Sequence, residues 1–240
     1  MEVIKGKRTF EMQFGEFHEL GSGYSRVVVD IGTGDGRFVY ELARTHPEWF
    51  CIGIDPAREN LEQYSAKIHR KPNKGGLPNV LYVIASAEDL PPELKGLARE
   101  IHVNFPWGSL LQAVALADQQ VLANIARISS PAGSLEMLIN TSIFRDPISI
   151  EVQELPELTL DYIDKVLAPA YAEAGVTIVE RRVLSEEEMK QVQTTWGKRL
   201  VYGRDPGTFH IKAEIGSQRA ESRIGHPWPE DARTPQQKAD

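Results

Sequence analysis

Three shortages in this sequence of 240 residues narrow what it can be. It has a single cysteine, Cys51, so an internal disulfide is excluded and a reducing compartment is favoured. No apolar run approaches the length of a signal-peptide core or a membrane span, and we therefore expect a cytoplasmic location. Cations are outnumbered, with 27 Lys and Arg against 34 Asp and Glu and a net charge of −7. A general nucleic-acid binder is disfavoured, and such a partner would have to meet a local basic patch.

Residues 26–36 join a β-branched run to a glycine-rich turn. The valines at 27–29 and Ile31 indicate a strand that is buried on both faces. Three alternate glycines follow, and a backbone without Cβ atoms can turn tightly and approach a bound molecule. The pattern predicts a strand that leads into a ligand-binding loop.

Two aspartates sharpen this prediction. Asp30 closes the first strand, and Asp55 closes a second apolar strand at 50–54 after an intervening helix. A carboxylate at the end of that second strand is about where a ribose would be bound. A dinucleotide-binding fingerprint also has glycine five residues after its first, whereas this chain has Arg37. The spacing is therefore Asp-x-Gly-x-Gly-x-Gly, and the alternative is an ordinary strand-turn-helix with incidental aspartates.

Along the rest of the chain, short apolar runs alternate with helical periodicity, which predicts an α/β domain. Further strands are predicted at 79–85, 99–104, 133–141, 176–184 and 208–215, and helices from about residues 38 and 57, over 110–128 and 160–174, and from 185.

We expect one domain over 1–215. It has an N-terminal extension at 1–20, an inserted linker and helix at 142–174, and a disordered tail at 216–240. Residues 142–158 are poor in pattern and indicate an excursion from the core. Residues 2–13 fit two short strands beside the main sheet or, equally, a frayed terminus.

Two loops carry tryptophan where ligands are expected to bind. The strand at 99–104 runs into Phe105, Pro106 and Trp107, which we expect to be exposed, because open α/β sheets bind ligands beyond the carboxyl ends of their strands. A second loop, residues 193–199, contains Trp196. Either tryptophan alone could be a core residue, but two such loops favour a site.

A group of cations without an acid among them ends the helix that begins near residue 57. Its members are Lys67, Arg70, Lys71 and Lys74. A solvated helix end that complements the helix dipole and a phosphate-binding surface both fit this pattern.

With both aromatic loops in view, the chain resembles the 16S rRNA (adenine(1408)-N(1))-methyltransferases over about residues 3–215. The first two of the following segments alone would indicate only a methyltransferase, and together the segments are specific. They are Asp30-Ile-Gly-Thr-Gly-Asp-Gly-Arg37, Ile54-Asp55, Lys71-Pro72 with Lys74-Gly75-Gly76-Leu77, Ala87-Glu88 with Leu90-Pro91, Phe105-Pro106-Trp107-Gly108 with Leu110-Leu111, and Trp196 with Lys198-Arg199-Leu200. Phe38 departs from the family, which commonly has a polar or smaller residue there.

The resemblance implies a class I S-adenosylmethionine-dependent methyltransferase fold. This fold is Rossmann-like, with a mostly parallel seven-stranded sheet, an antiparallel last strand and, here, a short N-terminal β-hairpin. The implied reaction is methylation of N1 of adenine 1408 in 16S rRNA of the assembled 30S subunit, which gives aminoglycoside resistance. S-adenosylmethionine is the implied cofactor, with no metal and no membrane, and the protein is expected to be a monomer.

The resemblance also implies roles for individual residues. Trp107 and Trp196 would hold the target adenine. The residues expected to bind the cofactor are Asp30, Gly32, Thr33, Gly34, Asp55, Pro56, Ala87, Glu88, Asn104, Ser109 and Thr195. Those expected to face RNA are Phe105, Pro106, Lys67, Arg70, Lys71, Lys198, Arg199 and Arg204.

The chemistry of this reaction suits such a site. Adenine N1 has an in-plane lone pair and is unprotonated near neutral pH, so no general base is required. A flipped base must instead be held in line, and each base–aromatic stack contributes about 1–3 kcal/mol. Two rival functions stay open: a tRNA guanine methyltransferase, and a non-catalytic RNA chaperone that binds the cofactor. Asn104-Phe105-Pro106-Trp107 also resembles the Asn-Pro-Pro-Tyr motif of amino-methyltransferases, a pattern that Phe105 breaks.

Overall fold

The computed structural model describes residues 1–140, 155–192, 194 and 207–216. Within these ranges nine strands form one sheet. The strands are β1 Glu2–Lys5, β2 Arg8–Glu11, β3 Arg26–Ile31, β4 Trp49–Ile54, β5 Val80–Val83, β6 Ala98–Asn104, β7 Ser129–Asn140, β8 Val176–Val183 and β9 Thr208–Ile215. The helices are α1 Phe14–Gly21, α2 Arg37–Thr45, α3 Arg58–Ile68, α4 Gly108–Leu116, α5 Gln119–Ile128, α6 at 160–173 and α7 Glu186–Gln191.

The order of the strands is β2-β1-β5-β4-β3-β6-β7-β9-β8. Neighbours from β5 to β7 run parallel, while β9 is antiparallel to both β7 and β8. The predicted sheet with an antiparallel last strand is thereby confirmed. The N-terminal hairpin exists, but it extends the sheet and does not merely lie beside it, because Val3 of β1 pairs with Val83 of β5.

Alternate residues of the central strands serve two cores. Val27, Val29 and Ile31 of β3 face the core under α4, α5 and α6, whereas Val28 faces the core under α2 and α3. Cys51 of β4 lies in the second core, and burial raises the pKa of its thiol to about 12. Helices on both faces explain why these strands are continuous apolar runs in the sequence.

The single helix predicted over 110–128 is wrong, since the chain forms two helices there. Ala117 has a left-handed backbone with φ of 55°, and the carboxylate of Asp118 accepts a hydrogen bond from the amide of Val121 at 2.9 Å. An aspartate N-cap starts a new helix, and apolar periodicity that runs across the break conceals it. Helix α1 was not predicted from the sequence, and β7 begins at Ser129, four residues before the predicted start at 133.

The excursion predicted at 142–158 is described only from residue 155 onward. Leu158 is buried in the main core, so the end of this segment is core and the prediction is wrong there. The disordered tail was predicted at 216–240. Its first residue, Gly216, is described and its amide donates to the Gly175 carbonyl at 3.0 Å, while residues 217–240 lie outside the described residues. Among the helices that are described, none combines the length and apolar character needed to cross a bilayer.

Candidate active site

A cavity of about 560 Å³ opens at the carboxyl ends of β3, β4, β5 and β6. Its walls come from the loop that follows each of these strands and from Thr194. Sites for small molecules commonly measure about 300–1,000 Å³, and in open parallel sheets they lie at this edge. The cavity is therefore the candidate ligand site.

Ten of the eleven residues predicted to bind the cofactor line this one cavity. Thr195 lies outside the described residues, although its neighbour Thr194 is at the cavity wall. The ten come from segments far apart in sequence and meet only because the strand ends are adjacent. They are Asp30, Gly32, Thr33, Gly34, Asp55, Pro56, Ala87, Glu88, Asn104 and Ser109.

The glycine-rich loop needs glycine for two different reasons. Gly32, Gly34 and Gly36 all have left-handed backbones, with φ of 71°, 59° and 77°. A Cβ on Gly32 would come within 2.5 Å of Leu110 Cδ2, and one on Gly36 would overlap the ring of Tyr82, whose hydroxyl donates to the Gly36 carbonyl at 2.8 Å. A Cβ on Gly34 would meet no protein atom within 4 Å. Gly34 therefore leaves room in the cavity itself.

Asp55 fastens this loop to the end of β4. Its Oδ2 accepts from the amide of Gly34 at 2.8 Å, and its Oδ1 accepts from the amide of Ala57 at 2.9 Å. The side-chain amide of Asn60 lies 3.3 Å from the same Oδ1. Burial raises the pKa of Asp55, and these three donors oppose the rise. One carboxylate thus shapes the loop and faces the cavity.

Asp30 lies at the floor of the cavity and is only 1% exposed. Its Oδ1 accepts a hydrogen bond from the side-chain amide of Asn104 at 3.0 Å. Burial raises the pKa of Asp30 to about 6, against the opposing influence of Thr33, of the His102 charge and of Asn104. Because this pKa lies only slightly below neutral pH, most but not all of the Asp30 carboxyl is ionised at neutral pH.

The loop after β5 is held in place by α5. The side-chain amide of Asn124 donates to the carbonyls of Ala87 at 3.1 Å and Glu88 at 2.8 Å. Burial would raise the pKa of Glu88, but hydrogen bonds from its own amide and from the Ser86 and Ser109 hydroxyls outweigh burial and lower the pKa. Glu88 and Ser109, two predicted cofactor residues from different loops, are thereby brought together.

The aromatic loop after β6 is exposed only in part. Trp107 is 45% exposed and lines the cavity, as predicted. Phe105 is 5% exposed and packs against Leu138, Leu184 and Met189, and Pro106 is also buried. Phe105 has a left-handed backbone with φ of 51°, which turns its ring beneath the loop. The prediction that all three are exposed is wrong for Phe105 and Pro106, and their contact with RNA stays a prediction.

The basic end of α3 divides into two kinds of residue. Lys67 is half-buried, with its Nζ 3.9 Å from the ring centroid of Tyr40 and 5.2 Å from that of Tyr64. This cation–π contact gives Lys67 a packing role. Arg70 and Lys71, by contrast, are exposed. The other predicted RNA-facing cations, Lys198, Arg199 and Arg204, lie outside the described residues together with Trp196.

Two residues that support the site, Asn60 and Asn124, were not predicted from the sequence. Asn60 lines the cavity and supports Asp55, and Asn124 holds the loop after β5. Asn60 lies five residues after Asp55 in the same strand-to-helix segment, which is a usable signal. Asn124 carries none, because it reaches the loop from a helix 36 residues further along the chain.

A second polar cluster lies on the sheet next to the cavity. The ligand-type atoms of Glu100, His102 and Glu136 all lie within 4.8 Å of one another, a spacing that could hold a metal ion. His102 Nε2 lies 2.8 Å from Glu100 Oε1, and His210 Nε2 lies 2.5 Å from Glu136 Oε1. Arg26 bonds the other oxygen of Glu100 at 3.2 Å. Each carboxylate already has a protein partner, and the absence of a metal stays a prediction.

Comparison with known proteins agrees with the fold and the cavity. Residues 2–215 match the family model described as NpmA: 16S rRNA (adenine(1408)-N(1))-methyltransferase. The 16S rRNA (adenine(1408)-N(1))-methyltransferase of Streptoalloteichus hindustanus is 41% identical over 216 residues, which cover 90% of this chain and 98% of that protein.

Two solved structures extend the likeness to three dimensions. The 16S rRNA methyltransferase KamB superposes with a TM-score of 0.83 at 40% identity, covering 90% of this chain and 100% of that one. A mutant form of the 16S rRNA (adenine(1408)-N(1))-methyltransferase from Catenulisporales acidiphilia, solved with cosubstrate SAM, gives a TM-score of 0.85 at 32% identity, covering 92% and 100%.

The strand order and the cavity at the strand ends define a class I S-adenosylmethionine-dependent methyltransferase fold. Within that class, the chain belongs to the 16S rRNA (adenine(1408)-N(1))-methyltransferase family.

Proposed function

We propose that this protein transfers a methyl group from S-adenosylmethionine to N1 of adenine 1408 in 16S rRNA, acting as a cytoplasmic monomer on the assembled 30S subunit. One observation carries the proposal: ten predicted cofactor residues from four loops surround a single cavity, and Trp107 stands at its exposed edge.

The cavity fits this cofactor chemically. Asp30, Asp55 and Glu88 supply carboxylates, which suit a ligand that carries a sulfonium and an ammonium group. Gly34 leaves open space where any side chain would intrude. The buried Ala87 offers an apolar wall for a purine, and Asp55 is placed to accept from ribose hydroxyls.

The reaction asks little of the protein by way of acid–base chemistry. The bound cofactor supplies an electrophilic methyl group. Among the described residues that line the cavity there is no histidine or lysine, in keeping with a nucleophile that needs no base. The work of the chain is to hold a flipped adenine with its N1 edge toward the cofactor and to exclude water.

Trp107 is the side chain best placed for that work. An indole face can stack on adenine, and it attracts the positive charge that moves onto the purine during transfer. That attraction stabilises the transition state more than the neutral bound base. We propose Trp196 as the opposite wall of the base pocket. Thr194 at the cavity wall supports this, because Trp196 follows it two residues later in the sequence.

Docking to the 30S subunit requires local positive charge on an acidic protein. Arg70 and Lys71 are exposed at the end of α3, and they are the described residues that we assign to phosphate contacts. We assign Lys198, Arg199 and Arg204 to the same surface. A substrate surface that spans several rRNA segments would explain a requirement for the assembled subunit.

Tritiated methyl transfer tests the proposal directly. The protein is incubated with labelled S-adenosylmethionine and with 30S subunits, naked 16S rRNA, tRNA or DNA, and the modified base is then mapped. We expect label at N1 of adenine 1408 in 30S subunits alone. Label in tRNA guanine would support the rival methyltransferase, and cofactor binding without transfer would support the chaperone.

Substitution of Trp107 tests the base-holding role. Trp107→Phe keeps a smaller aromatic face and should retain part of the single-turnover rate, whereas Trp107→Ala should lose about 10- to 100-fold, the equivalent of one base stack. Cofactor affinity should be unchanged in both variants. Full activity in Trp107→Ala, or a loss that follows cofactor affinity, would return Trp107 to a packing role.

Aminoglycoside resistance is tested in cells. Bacteria that express the protein should tolerate higher concentrations of aminoglycosides that bind near adenine 1408, and bacteria that express Trp107→Ala at the same level should not. Equal tolerance with both proteins would mean that resistance does not depend on base methylation.

A further inference from the structure

On the face of the sheet that α2 covers, the strands next to the cavity carry polar side chains. Asp30 of β3, His102 of β6 and Glu136 of β7 are register partners on adjacent parallel strands, so their side chains point to the same face. His102 is 6% exposed, and the ring of Phe38 from α2 covers it with 4.9 Å between ring centroids. A buried imidazole therefore stands between the cavity floor and two glutamates.

The surroundings of His102 favour its charged form. Burial acts to lower the pKa of His102, but the hydrogen bond to Glu100 and the charges of Glu100, Asp30 and Glu136 outweigh burial and raise it. Phe38, which packs on the ring from α2, carries no charge. These contacts favour an imidazolium on the strand beside Asp30.

A positively charged neighbour favours the ionised form of Asp30, and the other groups near Asp30 do not supply one. The other titratable groups that act on it are Asp55 from the end of β4, which disfavours its ionisation, and Tyr82 on β5, whose pKa burial raises well above 10 so that it stays a neutral phenol. Asn104 contributes a hydrogen bond but no charge. Of these groups, His102 alone supplies a positive charge to the carboxylate.

We propose that His102 is a positioning residue for cofactor binding, an imidazolium that Glu100 and Glu136 hold beside Asp30 so that this buried carboxylate stays ionised toward the cationic cofactor. The inference rests on the proposed function, because it takes S-adenosylmethionine as the occupant of the cavity. His102 is not among the residues that line the cavity, so it acts through Asp30.

The test is the pH dependence of cofactor affinity. The dissociation constant for S-adenosylmethionine is measured by calorimetry from pH 5.5 to 9 for the unaltered protein and for His102→Gln, which keeps a polar group that can donate to Glu100. Each result is expressed as the ratio of variant to unaltered protein, so titration of the cofactor itself cancels. His210→Gln is the matched control, since His210 is equally buried and bonds to Glu136 but lies two strands from β6.

A neighbouring opposite charge shifts a carboxyl pKa by about 1–3 units. If losing it raises the Asp30 pKa from about 6 by roughly one to two units, binding should weaken by about two- to tenfold at pH 7. The ratio for His102→Gln should grow as the pH falls and approach one at pH 9, where Asp30 is ionised in either protein. His210→Gln should stay near one throughout. Turnover at saturating cofactor should be unchanged.

Three results would overturn the proposal: a ratio of one at every pH, a loss that is the same at every pH, or equal behaviour of the two histidine variants. If the unaltered protein fails to bind S-adenosylmethionine at all, the proposed function fails first and takes this inference with it. Thermal unfolding monitors the fold. Should His102→Gln not fold, Glu100→Gln replaces it, because loss of that carboxylate weakens the imidazolium and must shift the ratio in the same direction.

Discussion

At the scale of single residues, Asp55 has two roles, ligand contact and loop support, and the sequence alone indicated only the first. A carboxylate that closes the second strand predicts a ribose contact. The structure adds that both oxygens already accept from the glycine-rich loop and from the start of α3. Loss of this side chain therefore removes a ligand contact and also loosens the loop that shapes the cavity.

Asp55→Ala should weaken cofactor binding by at least about tenfold, because hydrogen bonds to a charged group contribute roughly 1.5–3 kcal/mol each. Calorimetry measures the affinity, and circular dichroism should show an intact fold because the site is a loop. Asp89→Ala is the control and should bind normally, because Asp89 is exposed and is not among the cavity-lining residues, although it lies in the loop after β5. Unchanged affinity in folded Asp55→Ala would reject the cofactor assignment.

How far the site was predictable also depends on the residue. Asp30 and Asp55 could be placed because strand ends meet at one edge of a parallel sheet. The burial of Phe105 could not be foreseen, because its ring is turned by a left-handed backbone conformation that is uncommon for residues other than glycine. The contact of Lys67 with Tyr40 and Tyr64 joins two helices, and no local pattern reports such pairs.

At the scale of elements, the turn between β3 and α2 is tightly constrained, because Gly32, Gly34 and Gly36 all have left-handed backbones. Its glycines share left-handed backbones but face different surroundings, protein on one side and open cavity on the other. Substitutions within residues 32–36 can therefore separate an effect on the stability of the fold from an effect on cofactor binding.

Gly36→Ala should destabilise the fold more than Gly34→Ala, because its new methyl group would overlap the Tyr82 ring. Both variants share a backbone penalty of about 1 kcal/mol for a left-handed residue, so the comparison cancels it. Gly34→Ala should instead lose cofactor affinity. Chemical denaturation and calorimetry measure the two quantities, and the reverse ranking in either would contradict this account of the turn.

Element predictions succeeded where periodicity ended at a clear signal. The last strand was predicted at 208–215 and lies at Thr208–Ile215. They failed where two helices share one apolar face across Ala117, and where α1 packs on the core mainly through Phe17. Tertiary contacts, and not local preference, determine such short elements.

At the scale of the whole molecule, an acidic chain must gather positive charge to meet RNA. Arg70→Glu or Lys71→Glu should weaken 30S binding, and removal of one phosphate contact should reduce the slope of log affinity against log salt by about one. Cofactor affinity should not change. Lys95→Glu is the control, since Lys95 is exposed before β6, at the sheet edge opposite the cavity. If the salt dependence of 30S binding has the same slope in all three variants, the RNA does not contact Arg70 or Lys71.

The polar face beside the cavity should give the protein a pH window of extra stability. The pKa of His102 is raised above 6.5, so its contribution is present below pH 6.5 and is lost as the pH rises through the folded value. The pKa of Glu100 is lowered below 4.5, first by the hydrogen bond with His102, so its contribution is present above pH 4.5 and is lost as the pH falls.

The difference in Tm between the unaltered protein and Glu100→Gln should therefore be largest between pH 4.5 and 6.5, at roughly 3 °C, and smaller at pH 9, where only the ion pair with Arg26 remains. Differential scanning calorimetry across this range measures it. Glu214→Gln, an exposed carboxyl on β9, should show no such window. A constant difference would mean that His102 does not titrate with Glu100.

Cys51 has a practical consequence. Its thiol is buried in the core under α2 and α3, and its pKa is raised to about 12, so almost none of it is thiolate at neutral pH, the form that reacts with maleimides. It is also the single cysteine of the chain. The unaltered protein is therefore a ready background for site-specific fluorophores or spin labels. A cysteine placed at exposed Lys71 or Lys95 could be labelled alone, and distances to a labelled 30S subunit could be measured without first removing a native thiol.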